Sequence, residues 1–223
     1  MPLEAHKPIL YLITSGRTTA QTTAASEEFS ALLRLVAAAV AAKVPLFQIR
    51  EKNLTARALY ELMTEAAQLV RGSQTRLLVN DRADVARAAG ADGVHLTTRS
   101  LKAATVRNAF GVDFLIGAST HSVDEALEAR DGGADFAVFC PVFGTATKSV
   151  YGAPLGTEQL KQAARELAPF PLLALGGVTL QNANDCLQAG AAGIAAIRLL
   201  GDPKSLGDVV EKIRAGAEDG HDY

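Results

Sequence analysis

Arg50 and Lys52, Asn80 and Asp81, and Ser119 and His121 stand at or directly behind short apolar runs, which makes them candidates for chemistry. A run of that kind reads as a buried strand, and a polar residue where it stops is exposed by geometry. Arg50 offers phosphate oxygens a planar fork, Lys52 and Lys148 offer point charges, and Asp81 offers magnesium a hard oxygen ligand. Three cations and one acid suit an anion. No Ser, His and acid occur together in a nucleophile motif, so a hydrolase triad is not indicated. Gln48 precedes Arg50, and Thr145 and Thr147 precede Lys148 in the Gly- and Pro-rich segment 141–156. Gly176 and Gly177 allow close backbone approach after a later run, and Ile197 and Arg198 close the last one. Two phosphate sites are expected, one at each group.

Plainer readings stand beside these. Arg50 and Lys52 could form a solvated cluster with Glu51, and Asp81 could cap a helix starting at Arg82. His95 reads as a satisfied residue behind the site, His121 as a proton carrier or a capping-segment histidine, and the Gly-Gly pair as a turn. Cys140 and Cys186 match no zinc spacing and read as small buried hydrophobes in a reducing compartment.

The elements that must position these residues alternate without lapse. Strands are predicted at 9–14, 46–49, 77–79, 93–96, 115–118, 136–140, 171–175 and 193–197. Helices are predicted at 27–43, 56–71, 82–89, 102–109, 122–132, 157–167, 182–189 and 205–214. Thr55 and Ser122 serve as caps. Eight such units predict a parallel (β/α)8 TIM barrel, with the site at the carboxyl ends of the strands; an open doubly wound sheet is the alternative, but no GxGxxG follows the first strand. Gly-Ala-Asp-Gly at 90–93, Gly-Ala-Asp-Phe at 133–136 and Gly-Ala-Ala-Gly at 190–193 repeat one helix-to-strand turn. Segment 141–156 is long enough to be a lid.

The 223 residues fit one domain, with its core at about 9–214. A formal net charge of −2 gives no basic surface for nucleic acid or membrane, and the longest apolar run, 35–42, is too short to span a bilayer. A cytoplasmic protein acting on small molecules is expected, with a homo-oligomer left open.

Taken together, FQIREK, LLVNDRADVA, GADGVHL, IGASTH, PVFGTATK and LALGGV resemble the thiamine phosphate synthase family and its relative, the thiazole tautomerase TenI, across about 9–214. The resemblance implies an enzyme that joins hydroxymethylpyrimidine diphosphate to thiazole phosphate and releases pyrophosphate. It places pyrophosphate against Arg50, Lys52, Asn80 and Lys148, Mg2+ on Asp81, and the thiazole phosphate near Thr145, Thr147 and the Gly-Gly turn. Two positions depart from the synthase pattern. Ser100 stands where a second magnesium-binding Asp is usual, and Arg198 where a serine is usual. The tautomerase branch lacks that Asp too but tends to lose the Asp of the Asn-Asp pair, which this chain keeps. A tautomerase with His121 as proton shuttle, or a non-catalytic thiazole or thiamine phosphate sensor, is the alternative.

Overall fold

Every strand of the protein is short, almost wholly buried and followed by a helix with one apolar face, a pattern that only a sheet covered on its outside by helices can satisfy. The computed structural model describes residues 8–144 and 153–218. In order they form β1 (Ile9–Ile13), α1 (Glu27–Ala41), β2 (Leu46–Ile49), α2 (Ala56–Val70), β3 (Arg76–Asn80), α3 (Ala83–Ala89), β4 (Gly93–Leu96) and α4 (Ala103–Phe110). The second half continues with β5 (Leu115–Thr120), α5 (Val123–Asp131), β6 (Phe136–Phe139), α6 (Gly156–Leu167), β7 (Leu172–Ala174), α7 (Ala183–Gln188), β8 (Gly193–Ala196) and α8 (Leu206–Glu218). All neighbouring strands run parallel, and β1 pairs with β8 through Ile9 opposite Gly193 and Tyr11 opposite Ala195, closing the barrel. The doubly wound alternative is thereby excluded. No helix among the described residues is long and apolar enough to cross a membrane.

Alternation along each strand divides the core in two. Leu10, Leu12, Phe47, Ile49, Leu77 and Val79 face outward into the helix layer, while Ile9, Tyr11, Ile13, Leu46, Leu78, Phe136, Val138 and Leu173 fill the barrel. Inside, the Tyr11 and Phe136 rings meet edge to face at 5.3 Å, and the Tyr11 hydroxyl accepts a bond from Gln48 Nε2 at 2.7 Å. Burial pushes the Tyr11 phenol well above its ordinary range, so it stays a neutral partner.

The repeated Gly-Ala turns are one physical device at the amino end of the barrel. Gly90, Gly133 and Gly190 adopt left-handed φ of 74°, 83° and 93°, and the next residue's N–H closes back on the helix, as in Ala91 N to Ala86 O at 3.0 Å. Asp92 and Asp135 then accept the N–H groups of Leu77 and Ile116 on the neighbouring strands at 2.8 and 2.6 Å. Arg107 donates to Asp135, Gly133 and Phe114, tying α4, β5 and β6 together below the sheet.

The carboxyl ends of six strands differ from the sequence expectation, β1, β6 and β7 each stopping one residue early and three others bearing on the site. β5 runs on to Thr120 because Ser119 pairs with Val138 and Thr120 with Phe139, so Ser119 lies in the strand rather than behind it. Asn80 likewise closes β3, opposite His95. β8 stops at Ala196, leaving Ile197 and Arg198 in the connection beyond it.

The barrel interior is tight at Gly117, where an added Cβ would lie 2.4 Å from Phe136 Cζ and 2.7 Å from His95 Nδ1. Both neighbours are locked by packing. Gly117→Ala is therefore expected to lower unfolding free energy by about 1–3 kcal/mol in urea titration, through overpacking.

Candidate active site

Glu51 is the acid that shapes the rim on the β2 side. Buried to 4% exposure, its carboxylate accepts four hydrogen bonds from the β1–α1 loop: Thr14 Oγ1 at 2.7 Å, Gly16 N at 3.0 Å, Thr18 N at 3.1 Å and Thr18 Oγ1 at 2.8 Å. Thr14 Oγ1 in turn accepts from Arg50 N at 2.8 Å. A solvated cluster of Arg50, Glu51 and Lys52 is thus corrected for Glu51, which is an internal anchor. Arg50 is half-buried beside that loop, with Nη1 3.4 Å from where a Gly16 Cβ would stand. A glycine there gives the guanidinium room against backbone.

Asp81 does not cap α3. The helix begins at Ala83 with Arg82 in the capping place and no side-chain cap. Asp81 instead takes a left-handed φ of 64°, which Asp tolerates better than most residues, and its N–H donates to His95 O at 2.9 Å. Arg82 is drawn away by two bonds to Asp84, at 2.8 and 2.6 Å. Among the described residues, the Asp81 carboxylate has no hydrogen bond or ion pair, and neither do the side chains of Arg50, Lys52 and Arg99. These groups share one neighbourhood all the same. The Lys52 ammonium is shifted down by burial first, then by the charges of Arg50 and Arg99, with Asp81 opposing them. Among the described residues no three His, Cys, Asp or Glu side chains are grouped to hold a metal. A lone, unpartnered carboxylate fits magnesium only in the form that takes its other ligands from phosphate and water.

Below this rim lie Gln48 and His95, buried, with Asn80 and Ser119 half-buried. His95 Nε2 is 2.8 Å from Ser119 Oγ, while its Nδ1 is buried without a partner. The expectation of a satisfied histidine is corrected: it is half satisfied, because Gly117 and Phe136 crowd that ring edge. Burial, and after it the charge of Arg50, pushes the His95 pKa down to about 3. The ring is neutral at physiological pH.

His121 follows β5, and its Nδ1 donates to Cys140 O at 2.6 Å. Its backbone N–H bonds Glu125 Oε2 at 2.7 Å, and Ser122 Oγ accepts Glu125 N at 3.1 Å, the reciprocal pattern of a capping box. The capping-segment reading of His121 holds, since the segment caps α5, and the ring is fixed separately by Cys140 O. Cys140 is pushed up to about 12 by burial and by Glu125, so it is no thiolate nucleophile. Cys186 is buried, as expected of a small hydrophobe, and both cysteines are free.

On the opposite side of the mouth, Gly176 and Gly177 have φ of 100° and 65°. Added Cβ atoms would fall 2.7 Å from Pro141 and 2.5 Å from Gly144 O. The turn also receives the start of segment 141–156, with Phe143 N donating to Gly176 O at 2.9 Å, and Leu155 N returns to Pro141 O at 2.9 Å. The start of the segment is thus fixed on the glycine turn, and its end is fixed on its start. Its Thr145, Thr147 and Lys148 lie outside the described residues. A cleft of about 460 Å³ opens here, lined by Gly144, Gly177, Thr179, Ile197 and Arg198. The larger cleft of about 760 Å³ lies at the amino end, among Pro8, Pro169 and Phe170, away from this chemistry.

The structure brings Arg50, Lys52 and Asp81 into one neighbourhood, and Gly176, Gly177, Ile197 and Arg198 around one cleft. Sequence reasoning missed Glu51, Thr14 and Arg99. For Arg99 the signal was present, since it follows β4 as Arg50 follows β2.

The sequence model of the family described as thiamine monophosphate synthase matches residues 10–200. A thiamine-phosphate synthase of Chlorobium luteolum is 40% identical over 86% of this chain and 84% of its own, and one of a Roseiflexus species is 35% identical over 98% and 90%. Among solved structures, a thiamine phosphate pyrophosphorylase of Pyrococcus furiosus superimposes with a TM-score of 0.76 at 30% identity, covering 96% of this chain and 97% of that one. A 3-hexulose-6-phosphate synthase, at 17% identity and a TM-score of 0.63, shares the fold alone.

Two outcomes are expected from the buried groups. Glu51→Gln would face Thr18 donors with an NH2 group, and should cost about 2–3 kcal/mol in urea unfolding while speeding amide exchange at 14–18. The second concerns acid. The unfolded state takes up the His95 proton near pH 6.5 and the folded state only near 3. Stability tied to this group is therefore complete above pH 6.5 and drains as pH falls toward 3. Wild type should lose about 2 kcal/mol more than His95→Gln between pH 7 and pH 5. Parallel acid limbs for the two proteins would refute this.

Proposed function

We infer the reaction from family and site together: the chain belongs to the thiamine monophosphate synthase family, and its rim holds unpaired cations around an unpaired carboxylate. The protein is a transferase that joins hydroxymethylpyrimidine diphosphate to thiazole phosphate and releases pyrophosphate. The observation that carries this reading is that Arg50, Lys52 and Asp81 share one neighbourhood while none is spent on another protein group. Several charges elsewhere, such as Arg82 with Asp84 and Lys102 with Glu128, are by contrast paired. Charges kept apart at a mouth are available to a ligand.

The bond between the pyrimidine methylene carbon and the diphosphate oxygen breaks first, and its electron pair leaves with pyrophosphate. The thiazole nitrogen then supplies the pair for the new carbon–nitrogen bond. No strong protein base is needed for either event. What the reaction requires is neutralisation of charge gathering on the leaving oxygens, and fixed cations provide it without reorganising at the moment of bond rupture. Arg50 suits two phosphoryl oxygens and Lys52 one. Asn80 supplies an amide at the same rim. Magnesium, when bound, would be held by Asp81 and would add Lewis-acid neutralisation to the same oxygens. Neutral His95 and Tyr11 keep further charge out of the barrel floor, where Gln48 and Ser119 offer hydrogen bonds to the pyrimidine.

The thiazole phosphate is assigned to the cleft by Gly176, Gly177, Ile197 and Arg198. Arg198 is exposed there and offers a fork to its oxygens. Thr145, Thr147 and Lys148 join these sites on the strength of the family resemblance, as does His121 at the rim.

Asp81→Asn keeps a residue that tolerates the left-handed backbone but removes the charge. Supplied with both substrates and magnesium, this variant is expected to form thiamine phosphate about 10²–10³-fold more slowly than wild type, with an unchanged melting temperature. Wild-type rates in Asp81→Asn would remove the carboxylate from the mechanism. Failure of the wild-type protein to release pyrophosphate would remove the synthase reading itself.

A further inference from the structure

Behind β4 the chain turns through 97–101, and the hydroxyls of Thr97 and Ser100 are spent within it. Ser100 Oγ accepts Thr97 N at 2.7 Å and lies 3.0 Å from Thr97 Oγ1, which accepts Arg99 N at 3.4 Å. Ser100 is thus a turn former and carries no charge to the site. What the turn exposes is Arg99. β4 lies beside β3, with Asn80 opposite His95, and Asp81 N is bonded to His95 O. The Arg99 turn therefore leaves the barrel next to Asp81, on the side away from Lys52.

Arg99 has no ion pair or side-chain hydrogen bond among the described residues, whereas Arg34, Arg57, Arg76, Arg82, Arg107 and Arg130 each hold a carboxylate. Its charge is felt at Lys52 together with that of Arg50. Cations from the ends of β2 and β4 thus bracket one acid behind β3 and repel each other across it. Such repulsion is relieved by a polyanion. A phosphate monoester offers these cations one phosphoryl group, whereas a diphosphate offers two, one for the β2 side and one for the β4 side.

We propose that Arg99 is a third diphosphate-binding cation, gripping phosphoryl oxygens from the β4 side while Arg50 and Lys52 hold them from β2. The assignment rests on the synthase reading and extends it to a residue that stands behind β4 as Lys52 stands behind β2. Its charge remains with the released pyrophosphate, so the product reports on it directly.

The test is calorimetric titration of inorganic pyrophosphate, in magnesium buffer, into wild type, Arg99→Ala, Arg99→Lys and a distant control, Arg130→Ala. Arg99→Ala should bind at least tenfold more weakly, Arg99→Lys within threefold of wild type, and Arg130→Ala as wild type. KM for thiazole phosphate should stay within twofold in all four. Pyrophosphate binding by Arg99→Ala within twofold of wild type overturns the assignment, as does an equal loss for thiazole phosphate, which would signal general damage to the rim. If wild type meanwhile makes thiamine phosphate, only Arg99 falls. A wild-type protein that neither makes it nor binds pyrophosphate overturns both readings.

Discussion

Closure of the sheet is the constraint that creates the site. With β1 hydrogen-bonded to β8 and every pair parallel, all eight carboxyl ends are forced onto one rim, and residues far apart in sequence become neighbours. The same closure leaves the interior only the width of side chains. Tyr11, Phe136 and His95 occupy it above Ile9, Leu46 and Leu173, so ligands are confined to the mouth. The amino end is stitched by helix caps and by Asp92 and Asp135 binding neighbouring strands. Stability is concentrated at one end and chemistry at the other.

The two ends handle charge in opposite ways. Below, Arg107 meets Asp135 and four carbonyl groups, and Arg76 meets Asp92. Above, Glu51 is fully occupied by loop donors, which denies it to Arg50 and Lys52 although it lies between them in the chain. An acid is thus used to order a loop while two adjoining cations stay free. Without that division the rim would neutralise itself, and nothing would remain to hold a leaving diphosphate.

On the proposed reading, the site also separates by function around the mouth. Cations and Asp81 gather after β2, β3 and β4, and backbone turns without net charge gather after β7. The first arrangement favours accumulating negative charge, as a departing pyrophosphate requires. The second, built on Gly176 and Gly177, favours close approach of a phosphate that does not react. Between them, His95 stays neutral because the barrel interior cannot solvate its cation.

Hydrophobic alternation and helix periodicity by themselves determined the eight units, because each strand and each amphipathic helix is a local pattern. They also marked Arg50, Lys52 and Asp81, since a strand that ends must expose the residues directly behind it. Local pattern could not say which partners those groups touch. Only the tertiary structure decided that Glu51 is buried against Thr14, Gly16 and Thr18, some 35 residues distant, that Asp81 is free rather than a cap, that Ser119 sits within a lengthened β5 facing His95, and that Arg99 stands beside Asp81. Each depends on which strand ends adjoin across the closed barrel. That is a property of the register, not of any single stretch of chain.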